Sequence, residues 1–192
     1  MKEALINQRI ESVWRTESAK IIASITRMVR DISIAEDVAQ DTLIIALERW
    51  PVSGIPDNPG AWLMTVAKRK AIDMLRRKKR LDQKYEQMAY EMNINYEPDL
   101  ADEIDEDIKD NLLRLIFMTC HPVLSKNARV ALTLRLVGGL TTEEIANAFL
   151  VPEPTIAQRI VRAKRTLATA NVPFEVPQKA AYAERLSSVL EV

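Results

Sequence analysis

The sequence predicts an all-α fold: two small helical domains joined by an acidic linker. Three observations carry this. Of 192 residues only 4 are glycine and 5% are aromatic, too few for the turns and strand faces of a sheet protein. Apolar residues recur at helical spacing through most of the chain. The two periodic stretches are separated by a polar run that contains Pro98 and little periodicity.

The helices can be placed in order. The first covers roughly residues 3–30, with Ile10, Val13, Trp14, Ile21, Ile25 and Met28 at apolar spacing. The second opens at "SIAE", where Ser33 and Glu36 have the spacing of a capping box. It runs through Leu43 and Leu47 and is expected to stop before Pro51. After the loop "PVSGIPDNPG", Asn58 caps a third helix with Pro59 at its first position. These helices make a first domain over residues 1–80, followed by a linker over 81–107. A second domain over 108–170 holds four shorter helices. One spans about 108–120 and stops at Pro122. The next is capped by Ser125 and closed by Gly138 and Gly139. Thr141 and Glu144 make a capping box for the third, and the fourth spans about 154–170. A tail over 171–192 ends in an amphipathic segment.

Composition excludes several classes. The formal net charge is +0, yet the charges are segregated. Lys68, Arg69, Lys70 and the run Arg76 to Arg80 form one basic block; Arg159, Arg162, Lys164 and Arg165 form another. Between them lie Glu97, Asp99, Asp102, Glu103, Asp105, Glu106, Asp107 and Asp110. A partner at close range meets the local charge, so a nucleic-acid partner fits. Two roles remain open for the linker, which is tethered near both basic blocks: to compete with DNA phosphates in the free chain, or to serve only as a solvated spacer. The single cysteine, Cys120, excludes an internal disulfide and suits a reducing cytoplasm. No apolar signal core or bilayer-length run occurs, so no membrane role is expected. An enzyme would have to use "TCHP". With one His and one Cys, no His/Cys metal cluster forms within one chain, and core packing is the expected role of both. No metal, cofactor or catalytic residue is expected; a Gly-rich phosphate loop is also lacking.

"TTEEIANAFLVPEPTIAQRIVRAKRTL" reads as two helices joined by a tight turn. Ile145, Ala146 and Phe149 face inward on the first. Ile156, Ile160, Ala163 and Leu167 form one stripe on the second. The opposite face carries Thr155, Gln158, Arg159, Arg162 and Arg165, donors suited to base edges and phosphates in a major groove. Pro152 stands where a capping Ser or Asp is usual. On the third helix, Leu63, Met64, Ala67, Ala71, Met74 and Leu75 share the core face. Trp62, Arg69, Asp73, Arg76 and Arg80 lie near the opposite one. Two roles remain open for Trp62: stacking on an unpaired base, worth about 1–3 kcal/mol, or packing on the preceding helix.

"SIAEDVAQDTLIIALERW" followed by "AWLMTVAKRKAIDMLRR" resembles region 2 of the extracytoplasmic-function sigma factors, and "LTTEEIANAFLVPEPTIAQRIVRAKRTL" resembles their region 4. The likeness covers residues 10–80 and 108–170. It implies a sigma factor that directs bacterial RNA polymerase core to promoters and helps open the minus-ten DNA, without catalysis of its own. It implies that Asp37, Gln40 and Asp41 meet the polymerase. The loop over 52–58 with Asn58 would read the minus-ten strand, with Trp62, Lys68, Arg69 and Arg76 where the strands part. Thr155, Gln158, Arg159, Arg162 and Arg165 would meet the minus-thirty-five element. The linker would thread towards the RNA exit path. "LLRLIFMTCHPVLS" and "VPFEVPQKAAYAERLSSVL" resemble a subgroup with a helical C-terminal extension, expected to be missing beyond Val192 in a truncated chain or shortened relative. That extension or an anti-sigma protein is a further candidate partner. The competing reading is a two-domain helix-turn-helix regulator that binds duplex DNA without being a polymerase subunit.

Overall fold

The computed structural model describes residues 2–86 and 106–192, with side chains over 5–80, 108–178 and 181–192. Every regular element among these is a helix: α1 Lys2–Val29, α2 Ile32–Ser53, α3 Pro59–Glu86, α4 Glu106–Thr119, α5 Lys126–Leu136, α6 Thr142–Phe149, α7 Glu153–Thr169 and α8 Lys179–Leu190. The expected all-α class is found. Helix α3 runs six residues past Arg80, and α4 starts at Glu106, so both enter the stretch read as linker. Most of that stretch, including Glu97 to Asp105, lies outside the described residues.

Helices α1, α2 and α3 pack on one another, and α5, α6 and α7 do the same. The two groups are not separate. Helix α1 lies along α4, and one contiguous apolar core runs from Ile10 and Ile21 through Leu115 and Met118 to Leu167. The loop between α5 and α6 approaches α1 closely. Gly139, at φ +67°, sits where a Cβ would be 3.4 Å from the Arg15 carbonyl oxygen and the Ser18 Oγ. Positive φ and close backbone approach both suit glycine there. Helix α8 docks on the outside of α4 and α5. Tyr182 tilts against Phe117 with ring centroids 5.6 Å apart, Arg185 donates to the Phe117 carbonyl, and Arg129 donates to the Ser188 carbonyl.

Two expectations about α2 are corrected. Its N-cap is Asp31, not Ser33: Asp31 Oδ1 accepts from the Ser33 and Ile34 amides at 2.8 and 3.1 Å. Glu36 is therefore not part of a capping box. The helix also does not stop before Pro51 but continues to Ser53. Proline removes the amide that would bond the Leu47 carbonyl, yet Leu47 is exposed, so water can take its place. Buried Trp50 anchors the last turn, which the Gly54 amide closes on the Trp50 carbonyl. Replacing Asp31 with Ala should cost about 1 kcal/mol, and Ser33→Ala much less. Urea unfolding of the two variants checks the assignment; equal losses would return the cap to Ser33. Ser125 occupies the N-cap of α5 but makes no side-chain bond there. Asn58 does cap α3, accepting from the Ala61 amide at 3.0 Å.

Candidate nucleic-acid and polymerase interfaces

Helices α6 and α7 form the expected pair. Thr141 Oγ1 accepts from the Glu144 amide, and Glu144 Oε2 accepts from the Thr141 amide, so the capping box is complete. Leu150 ends α6 in the left-handed region at φ 53°, and Pro152 precedes α7 without a side-chain cap. Ile156, Ile160, Ala163 and Leu167 are all buried. Thr155, Gln158, Arg162 and Arg165 are exposed on the opposite face. Arg162 and Arg165 also line an open hollow of about 460 Å³ with Thr166, Thr169 and Ala170. Arg159 stands apart from this row. It is half-buried, with its guanidinium 5.2 Å from the Phe149 ring centre, so part of its role is to join α7 to α6.

At the other group, Trp62 is half-buried and meets Trp50 edge-on, with ring centroids 5.2 Å apart. It thus packs on the preceding helix while its outer side lines an open hollow of about 380 Å³. Glu48, Arg49, Val52, Ser53 and Pro56 complete the lining. Asn58 stands exposed beside this hollow's loop. On α3, Arg69 and Arg76 are exposed and Lys68 is partly covered. Lys70 is held by Asp41 at 2.8 Å.

Asp37, Gln40 and Asp41 lie along one exposed stripe of α2. Asp37 makes no ion pair among the described residues. The stripe continues into Ile44 and Leu47, 51% and 41% exposed. The sequence reading placed Leu47 on this helix without marking it as surface and did not single out Ile44, although their spacing from Asp37 and Gln40 is visible in it. Acidic tips beside exposed aliphatic side chains suit a protein partner better than a solvated face.

Glu36 was also missed as a functional group. It is 5% exposed. Its Oε1 accepts from Arg135 Nε at 3.0 Å and from Gln40 Nε2 at 3.1 Å, and its Oε2 accepts from Lys164 Nζ at 2.8 Å. Burial alone pushes the Glu36 carboxyl up. The hydrogen bond and charge of Lys164, with those of Arg135, more than offset this and hold it below the ordinary carboxylate value. A depressed folded value means the pairs contribute fully above the unfolded carboxyl range, about 4.3. That contribution is lost as pH falls through the folded value.

"TCHP" is structural. Cys120 is buried, with Sγ 3.4 Å from Thr133 Oγ1. Burial, then the charge of Arg185, pushes His121 down, and its Nδ1 accepts from the Val123 amide at 3.1 Å. No group of residues that could hold a metal ion occurs among the described residues. None of the described helices is long and apolar enough to cross a membrane.

Comparison with known proteins gives two family matches in the same order as the two helix groups: sigma-70 region 2 over residues 14–81, and sigma-70 region 4 over residues 114–167. The chain belongs to the sigma-70 family. Its named relatives include ECF RNA polymerase sigma factors. An uncharacterised protein of Rhizobium meliloti is 39% identical over 170 residues, 88% of this chain and 40% of its own length. The probable ECF RNA polymerase sigma factor SigI of Mycobacterium tuberculosis is 26% identical, over 87% of this chain and 57% of its own. The ferric citrate uptake sigma factor FecI of Escherichia coli is 29% identical, over 80% of this chain and 85% of its own. This sigma-family chain therefore spans about two-fifths and just over half of the first two relatives. A solved complex of sigma factor RpoE with anti-sigma factor NepR from Bartonella quintana aligns over 86% of this chain and 96% of its own at 23% identity, with TM-score 0.36.

Proposed function

We propose that this chain is a promoter-specificity subunit of bacterial RNA polymerase. Region 2 would dock on the core enzyme through Asp37, Gln40, Asp41 and the neighbouring Ile44 and Leu47. The loop over 52–58 with Asn58, Trp62, Lys68, Arg69 and Arg76 would hold the minus-ten DNA as it opens. Region 4 would read the minus-thirty-five element with Thr155, Gln158, Arg162 and Arg165, and Arg159 would position that helix. Such a protein works in the cytoplasm and catalyses nothing itself. One observation carries the reading: a single chain exposes both an acidic–apolar helix stripe fit for a protein and a polar, cationic recognition helix fit for a groove. A helix-turn-helix regulator needs only the second.

In vitro transcription with bacterial core polymerase over a promoter library tests this. Transcripts dependent on the chain are expected, with footprints that need the core enzyme. A footprint on duplex DNA alone, with no core binding, would instead establish the regulator. Reversing Asp37 to Lys should weaken core binding by about tenfold or more, since a charge reversal replaces attraction with repulsion at the interface. Asp37 has no described partner to lose, so its helicity and unfolding midpoint should stay put. Asp41→Lys should behave alike, less the exposed Lys70 pair, which is worth about 0–1 kcal/mol. Unchanged core affinity in both folded variants would move the interface elsewhere.

A further inference from the structure

The outer face of α7 is not polar throughout. Its buried stripe, Ile156, Ile160, Ala163 and Leu167, fixes where the solvent side lies. At about 100° per residue, Gln158 and Arg165 stand opposite that stripe. Arg162 and Val161 stand about 50° to either side of them. The Arg162 flank continues into Thr155 and Thr166, both exposed. The Val161 flank continues into Ala157 and Ala168, also exposed. One flank therefore offers hydroxyls and a cation, and the other is short and apolar. Val161 is 61% exposed and is not part of the apolar core. A lone valine elsewhere on a surface needs no explanation. This one lies three residues after Gln158 and four before Arg165, inside the row that faces a groove. Valine is also a weaker helix former than alanine or lysine, so the helix itself does not call for it.

We propose that Val161 is a specificity residue that packs on the C5 methyl group of a thymine in the upstream element. The proposal rests on the promoter reading above and adds an apolar contact to its polar ones. In the major groove thymine alone presents a methyl group, while the other groups that distinguish the base pairs are hydrogen-bond donors and acceptors. An aliphatic side chain pressed on a donor or acceptor leaves it unsatisfied, at a cost. Val161 therefore favours thymine and penalises the other bases at the same place. Ala157, one turn earlier on the same flank, is short enough to let the helix backbone approach the groove floor. Val161 lies about 4.5 Å beyond Gln158 along the axis of α7, against a rise of about 3.4 Å per base pair. The two side chains thus face neighbouring base pairs. Gln158 suits the N6 and N7 of adenine, and Val161 the methyl of a thymine beside that pair. Arg159 does not contend for this position, because its guanidinium lies over the Phe149 ring.

The test uses the full chain with core polymerase, on a promoter selected from the library. Each thymine of the upstream element is replaced in turn by deoxyuridine, which removes the C5 methyl and keeps both the pairing and the O4 acceptor. One replacement should weaken binding by about fourfold, the worth of burying one methyl group. Val161→Ala should weaken binding to the thymine promoter by a similar factor. It should also abolish the difference between thymine and deoxyuridine at that position alone. Because Val161 is exposed, circular dichroism and the unfolding midpoint should hardly move. Gln158→Ala should lose preference at the neighbouring pair and keep the methyl effect. A selected upstream element without thymine overturns the proposal with no variant needed, as does one in which no methyl matters to the parent. A methyl effect that persists in Val161→Ala overturns it as well. If the chain binds duplex DNA but not core enzyme, the promoter reading fails, and the same scan on the chain alone still decides what Val161 reads. Absence of DNA binding with and without core enzyme overturns both.

Discussion

Trp50→Ala should be among the most destabilising single substitutions in the chain, costing about 3–5 kcal/mol. Trp50 is 1% exposed and closes the end of α2. Its indole is among the largest fully buried side chains, so truncation leaves a cavity that the neighbours fill only in part. Denaturant unfolding followed by tryptophan fluorescence measures the loss. The contrast with Trp62→Ala is informative. Trp62 is half-buried, so its truncation should cost about half as much stability, in proportion to the area it covers. Under the proposed function it should instead lower the yield of opened minus-ten DNA by about 5- to 150-fold, the equivalent of 1–3 kcal/mol of lost base stacking. Permanganate reactivity of unpaired thymines reports that yield. If Trp62→Ala opened promoters as well as the parent, the ring would be packing alone.

Arg162→Ala should change promoter selectivity at one position of the upstream element by about 5- to 150-fold, the loss of a bidentate guanine contact worth about 1–3 kcal/mol. Arg162 is exposed on the outer face of α7, so folding stability should hardly move. Arg159→Ala should behave differently. Its guanidinium lies over Phe149, and removal should cost about 0.5–2 kcal/mol of stability, with weaker binding to every promoter as α7 shifts. Competition binding over single-base variants of the promoter separates the two patterns. A position-specific effect at Arg159 and a uniform effect at Arg162 would exchange their roles.

The helices were legible because their signals are local. The stripe Ile156, Ile160, Ala163, Leu167 and the Thr141–Glu144 box each lie within a few turns, and both are found as read. Asn58 is likewise a local cap. Glu36 shows where local reading ends. Ser33 and Glu36 have capping-box spacing, but Asp31 offers a better acceptor two residues earlier, and Glu36 finds cations 99 and 128 residues away. Nothing within a turn of Glu36 reveals that. Pro51 is a similar case: the proline rule concerns backbone sterics, whereas burial of the adjacent Trp50 decides how the helix ends. Of the two roles weighed for Trp62, packing is visible in the contact with Trp50, while base stacking needs DNA to be seen. The stripe of Asp37, Gln40, Ile44 and Leu47 was half legible. Its acids stood out, but exposed Ile44 and Leu47 look like core residues until the helix has a known inner face.

The sequence separation of Glu36 from Arg135 and Lys164 also sets an order in time. Arg80, at the far end of the first helix group, leaves the ribosome 84 residues before Lys164. At about 5–20 residues per second, that gap lasts about 4–17 s. A three-helix bundle built from local contacts folds far faster than that. Region 2 therefore stands complete on the nascent chain before region 4 exists to close over it. Each newly made molecule passes once through an interval in which its α2 surface is unrestrained, whatever state the finished protein later adopts.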